Sequence, residues 1–209
     1  MKRTIRIKKL YKELYTKHGR PTGQWRLWCK RPKTTREREE IIIGAVLTQR
    51  TNWNNVEMAI ARLKDDKVCS LDDICYLGQK NRKKLVRLIK SSGFYRQKGG
   101  YLLGLARFIR KNYGNIEKMR KTNLSRLREE LLCLKGLGPE TTDSILLYGL
   151  EKPIFVIDEY TRRLIKRYRL AENLSYNFLQ ELFEKNLPKD YRLYQDFHAL
   201  IVIEGKNLS

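Results

Sequence analysis

A glycine turn set between two apolar helical stretches constrains this chain most: residues 130–150 read ELLCLKGLGPETTDSILLYGL. The spacing predicts a short helix ending near Leu134, a tight turn Lys135-Gly136-Leu137-Gly138, and a second helix over 139–150 that opens at Pro139. Gly136 and Gly138 permit backbone angles closed to other residues. Proline, with fixed φ and no N–H to lose, suits a first helical position. The turn thus presents the unpaired N–H groups and partial positive charge of a helix start where two residues lack a Cβ. An anion such as a nucleic-acid phosphate can approach closely there. A Gly-x-Gly turn alone is an ordinary helix connection, but here an apolar run, PIFVI, follows and delivers one acid, Asp158, into the segment EYTRR.

The charge balance narrows the partner. Lys and Arg number 45 against 23 acids, a net charge of +22, and so large an excess points to a polyanion, because neutralised phosphates release counterions and drive association. Ribosomal and membrane-surface proteins share the property, so charge does not by itself select DNA. No stretch approaches the apolar length that spans a bilayer, and the start MKRTIRIKKLYKELY lacks the apolar region of a signal peptide. A cytoplasmic, nucleoid-associated protein with no membrane partner is expected. Cys29, Cys69, Cys75 and Cys133 show no CxxC spacing and are expected as buried, reduced thiols. His18 and His198 are isolated, which argues against a zinc site.

Taken in order, residues 3–17 predict a basic amphipathic helix with Ile5, Leu10 and Leu14 on its apolar side. GRPTGQWRLWCKRPK reads as a loop in which Trp25 and Trp28 cap the core or line a cleft. Thr34 and Glu37 form a capping-box start for a helix burying Ile41, Ile42, Ala45 and Val46, which ends in the polar turn Thr48 to Trp53. Helices follow from Ser70, from Asn81 and, after a stop at Gly93, from Gln97. Further ones run from Asn123 into the hairpin, from Asn173 or Ser175 through Asn186, and over YRLYQDFHALIVIEGK. No long stretch alternates as strands do. PIFVI is the only strand-like piece and is expected to lead into a helix, so the chain reads as all-α.

LKGLGPET and VIDEYTRR, with GAVLTQRTNWNNVEMAI and SSGFYRQKGGYL, resemble the hairpin, catalytic segment and flanking helices of the helix-hairpin-helix (HhH-GPD) DNA glycosylase superfamily. That superfamily includes endonuclease III and the small 3-methyladenine glycosylases, and the similarity runs from about Thr34 to Lys206. It implies two helical lobes with a cleft between them and the hairpin at the cleft edge. One would be a six-helix barrel-like lobe over 30–152, the other built from 1–29 plus 153–209. The partner implied is double-stranded DNA carrying a damaged base, bound by a monomer. Lys135, Gly136, Leu137, Gly138 and Thr141 would grip its backbone. Gln49 would fill the hole left by a displaced base, although a glutamine at a helix junction is more often a surface amide. Phe94 or Tyr95 would wedge into the opposite strand, or else serve as core aromatics.

Asp158 is the implied catalytic group, an ionised carboxylate that stabilises positive charge on the sugar and orients or deprotonates water. It also reads as an N-cap, and the two roles are compatible. Relatives that cut the strand carry a lysine two residues beyond the second hairpin glycine, where an imine forms; Glu140 stands there, which argues for a monofunctional hydrolase. Glu140 reads either as a favourable first-turn acid or as a pocket group suited to a cationic base. With Trp25, Trp28 and Trp53 as candidate walls, alkylated purines such as 3-methyladenine or 7-methylguanine are the expected substrates. Cation–π contacts of about 0.5–2 kcal/mol each would recruit them. The alternatives are a glycosylase for uracil, mismatched thymine or deaminated bases, and a non-catalytic hairpin DNA-binding protein. No cofactor is expected: the chain has no cysteine beyond Cys133 for an iron–sulfur cluster. The resemblance adds a monovalent cation (Na⁺ or K⁺) on the backbone carbonyls of Leu132, Leu134 and Leu137.

Overall fold

The computed structural model describes residues 2–207, with side chains from Arg6 onward. Its helices are α1 (Lys2–His18), α2 (Trp25–Trp28), α3 (Thr35–Leu47), α4 (Trp53–Asp65), α5 (Leu71–Lys80), α6 (Arg82–Leu88) and α7 (Tyr95–Tyr113). They continue as α8 (Ile116–Arg120), α9 (Leu124–Leu132), α10 (Pro139–Ser144), α11 (Glu159–Arg167), α12 (Tyr176–Asn186) and α13 (Tyr191–Asn207). The fold is all-α, with no strand among the described residues. Nor is any helix among them long and apolar enough to cross a membrane. The chain forms two compact units, Pro32–Leu150 on the one hand and Met1–Arg31 with Glu151–Ser209 on the other.

In the unit Pro32–Leu150, α3 is the axis. The Thr34 hydroxyl accepts the Glu37 N–H while the Glu37 side chain accepts the Thr34 N–H, a complete capping box. Ile41, Ile42, Ile43, Ala45, Val46 and Leu47 are all buried. The expected single apolar face is therefore, from Ile41 to Leu47, a stretch buried on every side, while the first turns of α3 keep Thr35 and Arg36 exposed. Side chains of Asn52, Ser70, Asn81, Asn115 and Asn123 cap α4, α5, α6, α8 and α9 by accepting first-turn N–H groups. Helix α7 opens at Tyr95 rather than Gln97, because Phe94 takes a left-handed conformation, φ 43° and ψ 29°, and ends the turn sooner.

The hairpin departs from expectation at two places. Helix α9 stops at Leu132, short of Leu134, and α10 gives way at Ile145 to a π-helical turn, Ile145–Gly149, instead of running evenly to Leu150. Packing accounts for the second change. Gly149 lies so close to α3 that a Cβ would stand 2.7 Å from Ile42, and its carbonyl accepts the buried Arg38 Nη1 at 3.1 Å.

In the other unit, Ile7, Leu10 and Leu14 of α1 are buried, and α1 packs on α12 and α13. The side chain of Ile5 lies outside the described residues. Phe155 stacks on Phe183 with centroids 4.1 Å apart, and Phe197 meets both rings edge-on. Ile154 to Ile157 are buried without regular structure. The Phe155 backbone is satisfied by side chains of α12: its N–H donates to Glu184 Oε1 and its carbonyl accepts Gln180 Nε2, both at 2.8 Å. This carries the extended run, without a sheet, to the start of α11.

Candidate DNA-binding and catalytic residues

The hairpin is braced by a pair that the sequence reading did not single out. Arg128 of α9 donates Nε and Nη2 to Asp143 Oδ1 and Oδ2 of α10 at 2.8 and 3.1 Å, with Asp143 fully buried. This two-pronged ion pair fixes one helix on the other with directional bonds. Gly136 takes φ +86°, and a Cβ there would fall 2.4 Å from the Tyr101 ring, so both angle and space demand glycine. Gly138 corrects the expectation of a special angle. It is an extended N-cap residue, φ −82° and ψ 176°, and a Cβ added to it meets nothing within 4 Å. Neither strain nor packing within the protein explains its glycine; close approach by something outside would.

Gln49 is not a free surface amide. Its Nε2 donates to the Gly136 carbonyl at 2.9 Å and to Thr141 Oγ1 at 3.2 Å, tying the turn after α3 to the hairpin. Lys135 and Glu140 are exposed, Leu137 is buried and Thr141 is nearly so. Phe94 is 56% exposed, which excludes a core role, whereas Tyr95 is partly covered at the first position of α7. The carbonyls of Leu132, Leu134 and Leu137 are hard oxygen donors of the kind a monovalent cation takes. That of Leu134 already accepts the Leu137 N–H at 3.1 Å, which leaves its second lone pair for an ion.

Asp158 lies in the other unit, where it caps α11. Its Oδ1 accepts the Thr161 N–H at 2.7 Å and the Thr161 hydroxyl at 2.8 Å, while Oδ2 stands 3.5 Å from His198 Nε2. The side chain keeps 13% of its surface open. Burial pushes its pKa up, but the facing His198 and the Thr161 hydrogen bonds win and hold the carboxyl below the usual aspartate range. His198 is itself buried, with its ring edge-on to Trp25 at 5.8 Å. The partnership was invisible in the sequence, where the two residues sit on separate helical segments; their shared place against α11 and α13 makes it.

Trp25 and Trp28 correct the expectation of a loop. They form the short helix α2, are 5% and 7% exposed, and meet each other edge-on at 5.8 Å. Trp53 belongs to the hairpin's unit, partly covered at the first position of α4. The cysteines also differ from expectation: Cys75 is buried, Cys29 and Cys69 are intermediate, and Cys133 is exposed.

Comparison with known proteins gives these residues a context. The family described as HhH-GPD superfamily base excision DNA repair protein matches residues 43–189. Over 199 residues, 94% of this chain and 85% of the relative, the chain is 44% identical to a Methanocaldococcus jannaschii protein named as a DNA repair glycosylase. It is 29% identical over 150 residues to endonuclease III of Thermotoga maritima, covering 72% of this chain and 65% of that one. The crystal structure of H. pylori 3-methyladenine DNA glycosylase bound to 1,N6-ethenoadenine is similar with a TM-score of 0.81 at 28% identity, covering 99% of this chain and 98% of that one.

Proposed function

Because this chain belongs to the HhH-GPD superfamily of base excision DNA repair proteins, we propose that it is a monofunctional DNA glycosylase acting on alkylated purines, with Asp158 as its catalytic carboxylate. The observation that carries this reading is the state of that residue: a carboxyl held below its ordinary pKa, fixed in direction by Thr161 through Oδ1, with its side chain still partly open.

A base inside a duplex is out of reach, so the nucleotide must rotate into a pocket before its glycosidic bond can be broken. The hairpin supplies the grip: with Gly138 open in front and no Cβ to shield it, a backbone phosphate meets the N–H groups opening α10. Gln49 fills the vacated place and Phe94, exposed at its turn, is the better wedge than Tyr95. As the bond to the base lengthens, positive charge grows on the sugar. Asp158 is ionised at neutral pH and offers Oδ2 to that charge, an electrostatic stabilisation organised before the reaction begins. Lowering the carboxyl's pKa makes Asp158 a weaker base while keeping it charged, which favours electrostatic stabilisation over deprotonation of the attacking water.

Two features favour the finer assignment. Glu140 stands where strand-cutting relatives of this superfamily carry lysine, and a carboxylate forms no imine. The similarity to a 3-methyladenine glycosylase extends over 99% of the chain, and Trp53, partly exposed at the first position of α4, leaves aromatic surface for a base that carries positive charge, whereas Trp25 and Trp28 are buried against each other and His198. A monovalent cation on the hairpin carbonyls of Leu132, Leu134 and Leu137 would add charge toward the same phosphate.

Base release from duplexes carrying 3-methyladenine, 7-methylguanine, uracil, hypoxanthine or a thymine mismatch tests the assignment. Release of the methylated purines, with no borohydride-trapped adduct on abasic DNA, is expected. Release of uracil, hypoxanthine or thymine alone would overturn the substrate class, and a trapped adduct would overturn the monofunctional assignment.

A further inference from the structure

Helix α7 carries a lysine that the chemistry above does not use. Lys98 is 1% exposed, yet its ammonium is held by two backbone carbonyls, Leu47 at 2.8 Å and Ser92 at 2.6 Å. Both acceptors belong to helix ends. Leu47 is the last residue of α3, and Ser92 is the last of the 3₁₀ turn Lys90–Ser92. Terminal carbonyls lack partners within their own helices and sit at the negative end of the helix dipole. Two such ends converging on one amine give a buried cation its compensation through backbone rather than through a carboxylate.

The two carbonyls lie at the roots of two turns with proposed roles on DNA. Two residues after Leu47 comes Gln49, bonded to Gly136 of the hairpin. Two residues after Ser92 comes Phe94, left-handed, exposed, and bonded through its own carbonyl to the backbone N–H of Lys98 at 3.0 Å. Lys98 therefore grips the Phe94 turn by main chain and side chain together. A hydrogen-bonded path runs from hairpin to Gln49, along the chain to Leu47, through the ammonium to Ser92, and on to Phe94.

We propose that Lys98 is a positioning residue that sets the spacing between the filler Gln49, the wedge Phe94 and the hairpin, so that the three engage a gap in the duplex together. This rests on the glycosylase reading for the roles of Gln49 and Phe94, while the strap itself is a matter of contacts within one unit. A bare hydrophobe at position 98 would fill the volume and release both turns. The turn after Ser92 carries Phe94 in a left-handed conformation unfavourable to an aromatic residue, so it has reason to move once released.

The test needs no knowledge of the lesion. Affinity is measured for a duplex with a stable abasic analogue and for the same duplex intact, using wild type, Lys98→Met, Lys98→Arg, Gln49→Ala and Phe94→Ala. Lys98→Met is expected to lose about ten-fold of the abasic preference with intact-duplex affinity unchanged, and Lys98→Arg, which keeps charge and donors, to recover most of it. A merely structural lysine would lower both affinities alike. Preference lost in Gln49→Ala and Phe94→Ala but kept in Lys98→Met overturns the strap alone; a wild type with no preference overturns the glycosylase reading together with it. If Lys98→Met does not fold, the double variant Gln49→Ala with Phe94→Ala decides: non-additive losses of preference support the strap, additive ones overturn it.

Discussion

Lys98 and Asp158 solve one problem with opposite signs. Each is a charge withdrawn from water, and each is compensated by helix ends: two carbonyl ends receive the Lys98 ammonium, and the N–H start of α11 receives the Asp158 carboxylate, with His198 beside it. What separates them is access. Lys98 is sealed and spends its donors inside the protein, whereas Asp158 commits Oδ1 to Thr161 and leaves part of its surface open. Two charges compensated by the same device can therefore serve as scaffold in one place and as reactive group in the other.

Thermal and denaturant unfolding sharpen this contrast. The largest stability loss is expected for Lys98→Met, about 2 kcal/mol near neutral pH, because two buried carbonyls lose their donor. Its pH dependence has a definite sign. Burial lowers the Lys98 pKa from 10.5 to about 8, so between those values the unfolded chain binds more protons and wild-type stability rises with pH. The contribution is fully present above the unfolded pKa and lost as pH falls through about 8. The deficit of Lys98→Met should widen from pH 8 toward pH 10, and a constant deficit would contradict this.

Glu39→Gln comes next, with the opposite sign. Burial first, then Asp72 and Asp73, push the Glu39 carboxyl up from 4.5 to about 7. The ionised form is penalised above that pH, so the substitution should stabilise by about 1 kcal/mol at pH 8 and by nothing below pH 4.5. Equal effects at both pH values would sink the assignment. Asp158→Asn should cost least, under about 1 kcal/mol at neutral pH, since asparagine keeps the cap on α11 but gives up the charge that His198 favours. His198→Ala should let the Asp158 carboxyl rise, moving any acid limb of base release to higher pH; an unmoved limb would mean that His198 does not hold Asp158 down.

What was legible in the sequence was local. A cap acts across three residues, so Thr34, Ser70, Asn81 and Asn123 announced their helices, and the hairpin announced itself by a glycine whose φ of +86° and contact with Tyr101 no other residue fits. What was not legible was made by distant pairs. Arg128 meets Asp143 across 15 residues and Lys98 meets Leu47 across 51, and neither spacing leaves a local trace. The π turn over Ile145–Gly149 answers to Ile42 and Arg38 rather than to its own apolar pattern. Trp25 and Trp28 looked like loop residues because Gly23 and Pro32 bracket them, yet burying two indoles against each other and against His198 favours a helical turn.

The most direct measurement runs base release and duplex affinity side by side for wild type and Asp158→Asn on the lesion panel. Methylated purine should leave the wild-type reaction, release by the variant should fall by about a hundred- to a thousand-fold, and affinity for the duplex should stay within about two-fold, because the hairpin that grips the backbone is untouched. Undiminished release by Asp158→Asn would contradict a catalytic role for Asp158.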